Sequence, residues 1–152
     1  MTKVYEERYA NGQLKSRKSY KDGKRNGQYE LWYPNGQQSF RITYKNDKLD
    51  GPYEEWHENG KLKVRTIYKN GNSNGLIEEW DKNGQLQRRN IYKNGKVNGL
   101  WEEWYSNGQL KSRINYKNGE LDGSYEAWNE NGKLIKFVNY KNGCKVPSCK
   151  GK

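Results

Sequence analysis

The chain has 152 residues, with 29 lysines and arginines against 18 aspartates and glutamates and a formal net charge of +11. No apolar run in it approaches the roughly 20 residues that span a bilayer as a helix. Leu, Ile, Val and Phe supply only 23 residues, a composition that is typical of disordered chains when considered alone. However, the 13 Tyr and 6 Trp recur at fixed spacing, and burying one aromatic side chain removes about 150–250 Å² from water. We therefore expect a folded protein with a thin aromatic core.

The sequence repeats every 24 residues. The dipeptide Asn-Gly, for example, recurs at 11–12, 35–36, 59–60, 83–84, 107–108 and 131–132. A regular period of this size is typical of stacked repeat proteins. We predict a six-copy array over residues 1–146, followed by a tail over residues 147–152. The copies are expected at about 5–28, 29–52, 53–76, 77–100, 101–124 and 125–146.

Each copy contains two short runs that are typical of β-strands, separated by two turns. In the second copy the runs are 29–33 and 37–44. Asn35 and Gly36 between them predict a two-residue type I′ turn, because both central residues of that turn need a positive φ. The other turn, 45–51, is expected to be longer, with Gly51 at a bulge or a close backbone approach. The predicted fold is all-β: a single-layer, twisted antiparallel sheet of twelve strands, built from six 24-residue β-hairpin repeats.

The short turn also predicts the register of each hairpin. If Asn35 and Gly36 form the loop, Glu30 lies opposite Arg41, and equivalent Glu–Arg pairs follow at 54 and 65, 78 and 89, and 102 and 113. Opposite charges at opposed positions contribute about 0.2–1 kcal/mol each, and a slip by one residue would break every pair. Phe137 replaces the arginine in the last copy. Alternation then places the Glu, Trp and Arg columns on one face and most Tyr residues on the other.

Residues 93–99, Lys-Asn-Gly-Lys-Val-Asn-Gly, with the aromatic strand and the Asn-Gly turn that follow, resemble the MORN (membrane occupation and recognition nexus) repeat. The sequence is more similar to the bacterial-type MORN variant, whose units read roughly Tyr-Lys-Asn-Gly-Lys-x-Asp/Asn-Gly and then Glu-x-Trp-Tyr-x-Asn-Gly-Gln-Leu-Lys. The original MORN unit has His-Gly where this chain has Asn-Gly or Asp-Gly, and it is one residue shorter. The resemblance covers nearly the whole chain and implies a single-layer β-hairpin solenoid that binds partners. Members of the variant family are often labelled antitoxin components of toxin–antitoxin systems, and the resemblance implies that role as one alternative.

One edge of the sheet is expected to carry a row of lysines. They open the longer turn of each copy and form the basic edge: Lys21, Lys45, Lys69, Lys93, Lys117 and Lys141. Such a row suits an acidic protein, or an anionic membrane at about 1 kcal/mol per basic residue near the surface. It also suits a simpler role, in which lysine keeps hairpin loops soluble and discourages association.

Aromatic columns form the second candidate site, a partner groove. We assign to it Trp32, Trp56, Trp80, Trp104, Trp128, Tyr44, Tyr68, Tyr92 and Tyr116. Equivalent rings are expected about 10 Å apart, which is two strand spacings, and could receive an amphipathic helix or an extended peptide. The Trp rings could instead pack over the aliphatic stems of the Arg column. Stacking on nucleic-acid bases is disfavoured, because the Glu column on the same face would repel phosphates.

The sequence predicts no catalytic, metal or cofactor site. His57, the single histidine, stands where other copies have Tyr33 and Tyr105, so we interpret it as a variation of the repeat. Cys144 and Cys149 are too few for a structural zinc site without ligands from another chain. They could close a small disulfide loop or stay reduced.

We therefore expect a non-enzymatic repeat scaffold that mediates protein–protein interaction through the aromatic groove and the basic edge. Two alternatives stay open: a peripheral module that binds anionic phospholipid membranes, and an antitoxin component of a toxin–antitoxin pair. The expected partner is a protein that presents a helix or an extended peptide, and the exposed terminal strands also allow an end-to-end homodimer. The first residues lack the apolar core of a secretory signal, so we expect a cytoplasmic protein or a membrane-peripheral one.

Overall fold

The structure is a computed structural model that describes residues 1–147. No helix occurs in this range, which folds into fourteen β-strands. The strands are β1 (Thr2–Arg8), β2 (Leu14–Lys21), β3 (Lys24–Trp32), β4 (Gln38–Lys45), β5 (Lys48–Trp56), β6 (Leu62–Lys69), β7 (Asn72–Ser73), β8 (Gly75–Trp80), β9 (Leu86–Lys93), β10 (Lys96–Trp104), β11 (Leu110–Lys117), β12 (Glu120–Trp128), β13 (Leu134–Lys141) and β14 (Cys144–Val146).

All fourteen strands belong to one antiparallel sheet, and apart from β7 they follow one another across it in sequence order. The count exceeds the expected twelve for two reasons. Asn74 interrupts one strand, which leaves the two-residue β7 paired only with β6, and β14 adds a three-residue strand beside β13. The predicted all-β array of hairpins in a single open sheet is confirmed.

The predicted register is confirmed in all four hairpins that it concerns. Glu30 lies opposite Arg41, and the pairs at 54 and 65, 78 and 89, and 102 and 113 follow. The same line continues between hairpins, because Arg41 also lies opposite Glu54 on the next strand. Glutamate and arginine therefore alternate without a break across the sheet from Glu6 to position 126, in what we call the Glu/Arg ladder. The ladder ends at Phe137, as expected.

The turn at Asn35 and Gly36 is wider than predicted. Tyr33 N–H donates to the Gln37 carbonyl at 2.8 Å, and Gly36 N–H donates to the Tyr33 carbonyl at 2.9 Å. Gly36 has a φ of 84°, whereas φ of Asn35 is not positive. The prediction of a type I′ turn here is wrong, and the loop is a three-residue type I turn closed by a left-handed glycine. Pro34 suits the first central position of such a turn, because the ring holds φ at about −65°.

The type I′ turns lie at the opposite edge, which was predicted to have the longer loops. At Asn94 and Gly95 the φ values are 50° and 77°, so both central residues of the turn are left-handed. Lys93 and Lys96 pair directly across this turn. Both edges carry Asn-Gly, and the two turns differ in what the Asn side chain does. At the wider loop, Asn35 Oδ1 accepts a hydrogen bond from the N–H two residues further on at 2.9 Å, an Asx contact that supports the type I geometry.

The glycine that follows each tight turn lies at the predicted irregularity. Opposite Gly51 the register shifts between Ile42 and Tyr44, and Gly51 itself has a φ of 130°. A side chain there would meet the Thr43 Cβ atom at 3.0 Å. The predicted bulge is therefore confirmed, and the position needs glycine for both conformation and space.

The sheet has two unlike faces. The Glu/Arg ladder and the five Trp of the repeat lie on one of them, which we call the Trp face. The opposite face, the Tyr face, carries contacting rings such as Tyr53 and Tyr68, whose centroids are 5.7 Å apart. It also carries Ile42, which is 2% exposed and is the only buried hydrophobic residue in residues 1–147. The core is thus as thin as the composition predicts, and it lies on the Tyr face.

Candidate interaction surfaces

The Trp residues of the predicted groove lie beside the Glu/Arg ladder, and all of them are half-buried. Four of their rings have the guanidinium carbon of an arginine from the preceding copy 5.4–5.6 Å from the ring centroid. The pairs are Arg17 with Trp32, Arg41 with Trp56, Arg65 with Trp80, and Arg89 with Trp104. Each such contact contributes about 0.5–1 kcal/mol at an exposed site. One side of these four rings is therefore occupied within the sheet.

The arginines of the ladder also tie consecutive copies together through ion pairs. Arg89 lies 2.7 Å from Glu102 of the next copy, and Arg65 lies 2.7 Å from Glu78. Glu78 and Arg89 oppose each other within one hairpin, yet they form no ion pair in the described structure. Two arginines are exceptions, since Arg17 lies 2.9 Å from Glu6 and Arg113 lies 3.0 Å from Glu102, each within its own hairpin. The register prediction is correct, but most of the attraction acts between copies rather than within them.

Glu102 is the most buried acid of the ladder, with 4% of its surface exposed. Burial opposes its ionisation, but hydrogen bonds from Arg89 at 2.7 Å and Arg113 at 3.0 Å outweigh burial and hold the pKa of Glu102 below its usual range. The carboxylate is therefore charged at neutral pH and bound on both sides by arginine. This arrangement serves structure and offers no free acid or base for catalysis.

The Tyr residues of the predicted groove lie on the opposite face from the Trp residues. Tyr68 contacts Tyr53, whereas Trp56 lies under Arg41, which is ion-paired with Glu54. Since successive residues of a strand point to opposite faces, position 53 faces away from position 54 and from the Trp residues. The two sets of rings assigned to the partner groove therefore lie on opposite faces of the sheet. Whether either set of rings contacts a partner stays a prediction.

The Asn-Gly loops of consecutive copies are hydrogen-bonded to one another, which the sequence pattern did not predict. Asn35 Nδ2 donates to the Glu58 carbonyl at 2.9 Å, and equivalent bonds join residues 11 and 34, 59 and 82, and 107 and 130. Tyr33 Oη donates to the Trp56 carbonyl at 2.8 Å. His57 Nε2 takes the place of that hydroxyl one copy later, 3.0 Å from a backbone carbonyl. The interpretation of His57 as a variation of the repeat is therefore confirmed.

The six lysines of the basic edge are all exposed, and within residues 1–147 the pair Lys141–Asp122 at 3.1 Å is the only ion pair that any of them forms. In three hairpins a second lysine lies directly opposite, as Lys21 does to Lys24, and likewise 45 to 48 and 93 to 96. Like charges at opposed positions destabilise a hairpin. The edge therefore keeps positive charge that the sheet itself leaves unpaired.

The Trp face also carries an exposed apolar patch. Leu76 lies opposite Ile91, and Ile67 and Leu100 lie on the strands to either side of this pair. We call these four residues the central apolar patch. The exposed fractions of Ile67, Leu76, Ile91 and Leu100 are 53%, 41%, 38% and 37%, respectively. Outer copies have polar residues at most of these positions, such as Asn115. An exposed apolar patch confined to the middle of a repeat array is typical of an interaction site.

Positive charges border the central apolar patch on both sides. On β6, Arg65 and Lys69 lie two residues before and after Ile67, so all three share one face. On β9, Arg89 and Lys93 flank the equivalent isoleucine. The two arginines are neutralised by the ladder, whereas the two lysines form no ion pair within the described residues. The patch is thus an apolar strip with unpaired positive charge on its outer side.

The described residues contain no group of three or more His, Cys, Asp or Glu side chains that could hold a metal ion. Among residues 1–147 there is also no helix with the length and apolar character needed to cross a membrane. Cys144 is exposed, and Cys149 lies outside the described residues, as does the prediction about their pairing.

Comparison with known protein families matches most of the chain. The model of the MORN repeat variant matches residues 1–22, 25–46, 49–70, 73–94, 97–118 and 121–142. Each match contains one hairpin closed by an Asn-Gly loop. The matches begin 24 residues apart, which is also the spacing of equivalent residues in the Glu/Arg ladder and the basic edge. A comparison with curated proteins finds none that matches the chain. The six consecutive matches, together with the open sheet of hairpins, show that the chain belongs to the MORN repeat variant family.

Proposed function

We propose that the chain is a non-enzymatic scaffold that binds an acidic, amphipathic helix of a partner protein across the central apolar patch. The observation that carries this proposal is the four exposed aliphatic side chains beside Lys69 and Lys93 on one face. Repeat arrays bind partners over surfaces that extend across several copies, and the patch spans the boundary of two. The central apolar patch and the lysines beside it are complementary to a partner that is apolar on one face and acidic along the border of that face.

A helix suits this surface better than an extended strand. The patch lies on β6, β8, β9 and β10, which are interior strands with a neighbour on each side. A partner strand would find few free backbone donors or acceptors there, whereas a helix satisfies its own. The partner must therefore be recognised through its side chains.

The dimensions of the patch define the partner further. Four strands at a spacing of about 4.8 Å give a row of about 14 Å, which about ten helical residues cover at 1.5 Å per residue. Lys69 and Lys93 lie two strand spacings apart, about 10 Å, a distance that matches acidic residues seven positions apart on a helix. The expected partner sequence is an apolar stripe at i, i+4 and i+7, bordered by such a pair of acids.

The test replaces the patch with side chains that other copies have at the same positions. The patch variant combines Ile67→Thr, Leu76→Gln, Ile91→Asn and Leu100→Ser. Proteins captured by the wild type from host-cell lysate are identified, purified and titrated against both forms by calorimetry. We expect the patch variant to bind its partner at least ten-fold more weakly, with a similar midpoint of urea unfolding, because the replaced side chains are exposed. Equal affinity of the two forms would contradict the proposal.

A second pair of variants tests the charge. Lys69→Glu with Lys93→Glu should weaken binding and reduce its salt dependence. Lys82→Glu with Lys133→Glu changes the net charge equally at the other edge of the sheet and should leave binding unchanged. Equal effects of the two pairs would show that net charge, rather than the bordered patch, controls the interaction.

The same aliphatic and lysine side chains also favour a second candidate, an anionic membrane surface. Flotation with vesicles of phosphatidylserine and phosphatidylcholine at low salt separates the two. The surface would be assigned to lipid if the wild type bound vesicles, if both the patch variant and the variant Lys69→Glu with Lys93→Glu lost this binding, and if no protein partner were captured.

A further inference from the structure

The last full strand, β13, departs from the rest of the array at two exposed positions. Phe137 stands where the five preceding copies all have arginine, and Ile135 stands where they have lysine, serine or glutamine. These two side chains are 56% and 63% exposed. Leu134 beside them is also exposed. Polar side chains of the repeat are thus replaced by apolar ones at the C-terminal edge of the sheet.

The outer edge of β13 is largely unpaired. β14 pairs only with Asn139–Lys141, so the outer backbone groups of 134–138 have no pairing strand within residues 1–147. Pro147 stands at the position of the bulge glycine, such as Gly123 with its φ of 118°. Proline cannot adopt a positive φ, so the bulge with which other copies continue their strand cannot form at 147. An unpaired edge with apolar side chains is a template for strand addition.

The charges along this edge are positive. Lys133, Lys136 and Lys145 are exposed, and none of them forms an ion pair with the described residues. Lys136 lies between the two apolar side chains in sequence, with its ammonium group 4.3 Å from the centroid of the Tyr125 ring. An incoming strand with acidic residues would therefore be favoured over a basic one.

The N-terminal edge of the sheet is more highly charged. Val4 and Tyr5 of β1 are exposed, but charges of both signs flank them, including Lys3, Glu6 and Glu7, and discourage strand addition. If β1 of a second copy continued the sheet at β13 in the register of the repeat, Glu6 would lie opposite Phe137 instead of an arginine. Pairing of two β13 edges would bring Lys136 of both copies together. A second copy of the chain is therefore a poor occupant of the edge.

We propose that the outer edge of residues 134–138 binds an extended segment of an acidic partner by strand addition. The register shift at Ile135 leaves Leu134 and Phe137 on the Trp face and Lys136 on the Tyr face. Apolar side chains of that segment pack against Leu134 and Phe137, and an acidic residue between them lies opposite Lys136. The segment thus alternates apolar and acidic residues over about five positions, since side chains alternate along a strand. This edge is separate from the central apolar patch, so the two proposals can fail independently.

The probe is an end-blocked, fluorescein-labelled peptide of seven alternating valine and glutamate residues, titrated with the full chain by fluorescence anisotropy. We expect saturable binding that the double variant Ile135→Lys, Phe137→Arg weakens at least ten-fold. These substitutions restore residues found at Lys111 and Arg113, and an arginine at 137 would lie opposite Glu126. The urea midpoint of the double variant should therefore equal or exceed that of the wild type.

Two controls accompany the titration. A peptide of alternating valine and lysine should not bind, and the variant Val4→Lys at the other end of the sheet should bind the acidic peptide as the wild type does.

Failure of the wild type to bind, or equal binding by the double variant, would overturn the proposal. Binding that appears only after 148–152 are replaced by glycine and serine would assign the edge to the chain's own tail. Sedimentation experiments would assign the edge to a second copy if the wild type self-associated and the double variant, but not Val4→Lys, abolished this self-association. Each of these two results would also overturn the proposal.

Discussion

The two faces of this sheet are stabilised by different interactions. On the Trp face, arginines of the Glu/Arg ladder bind carboxylates and lie over Trp rings, as Arg89 does with Glu102 and Trp104. On the Tyr face, aromatic contacts such as Phe40 with Tyr53, 5.2 Å between centroids, surround the buried Ile42. A chain with few aliphatic residues can therefore form one stable layer when charge pairing supports one face and aromatic burial supports the other.

The largest effect should come from the Tyr face. Ile42→Ala removes a side chain that is 2% exposed, and we expect the free energy of unfolding to fall by about 2–4 kcal/mol. Ile91→Ala changes the same residue type on the Trp face, where the side chain is exposed, and should cost less than about 1 kcal/mol. Urea unfolding followed by Trp fluorescence measures both. Equal losses would mean that the Tyr face does not hold the core.

An intermediate effect should come from the Trp face. Glu102→Gln leaves Arg89 and Arg113 without their shared carboxylate, and we expect a loss of about 1–3 kcal/mol, limited because both arginines are partly exposed. Glu103→Gln is the matched control, since the adjacent Glu103 points to the Tyr face and forms looser ion pairs with Arg88 and Lys111 at 3.4 Å and 3.8 Å. Its loss should be below about 1 kcal/mol. A larger loss at 103 than at 102, measured by urea unfolding at low salt, would reverse the comparison.

The smallest effect concerns hydroxyl groups on the Tyr face. Tyr105→Phe removes the hydrogen bond to the Trp128 carbonyl of the next copy at 3.0 Å and should cost about 1 kcal/mol. Tyr116→Phe keeps the ring beside Trp101, at 6.2 Å between centroids, and its hydroxyl donates no hydrogen bond to the described residues. Its unfolding free energy should stay within about 0.5 kcal/mol of the wild type. The same urea experiment would refute the distinction if the two variants behaved alike.

The period and the position of the Asn-Gly turn were sufficient to predict the fold and the pairing of Glu30 with Arg41. The loop is one residue wider than predicted, and a register shift between Leu31 and Trp32 compensates for the extra residue. A 24-residue repeat with Glu30 and Arg41 at fixed positions is compatible with one pairing only, because any slip separates every charge pair. The turn types were not predictable in the same way. Asn35-Gly36 and Asn94-Gly95 are the same dipeptide, but Asn35 Oδ1 accepts a hydrogen bond from the Gln37 N–H within its own loop, whereas the Gly95 N–H donates to the Ser73 carbonyl of the preceding copy.

The proposed interaction surface was harder to predict, because the residues that form it depart from the repeat. The predicted groove was built from residues that every copy shares, and those rings are divided between the two faces. The central apolar patch depends instead on departures from the repeat, such as Ile91 where the next copy has Asn115. Such departures could be found by comparing the copies position by position. Their exposure, however, depends on how neighbouring strands align, which the structure supplies.

The hydrogen bonds between loops reach only from one copy to the next, as that from Asn35 to Glu58 does. Duplication or deletion of one 24-residue coding unit would therefore add or remove a hairpin without requiring any new kind of interface. Each such event between the central apolar patch and the C-terminal edge would change the distance between them by about 10 Å. Unequal recombination between the repeated gene segments would in this way adjust the distance between the two proposed binding surfaces.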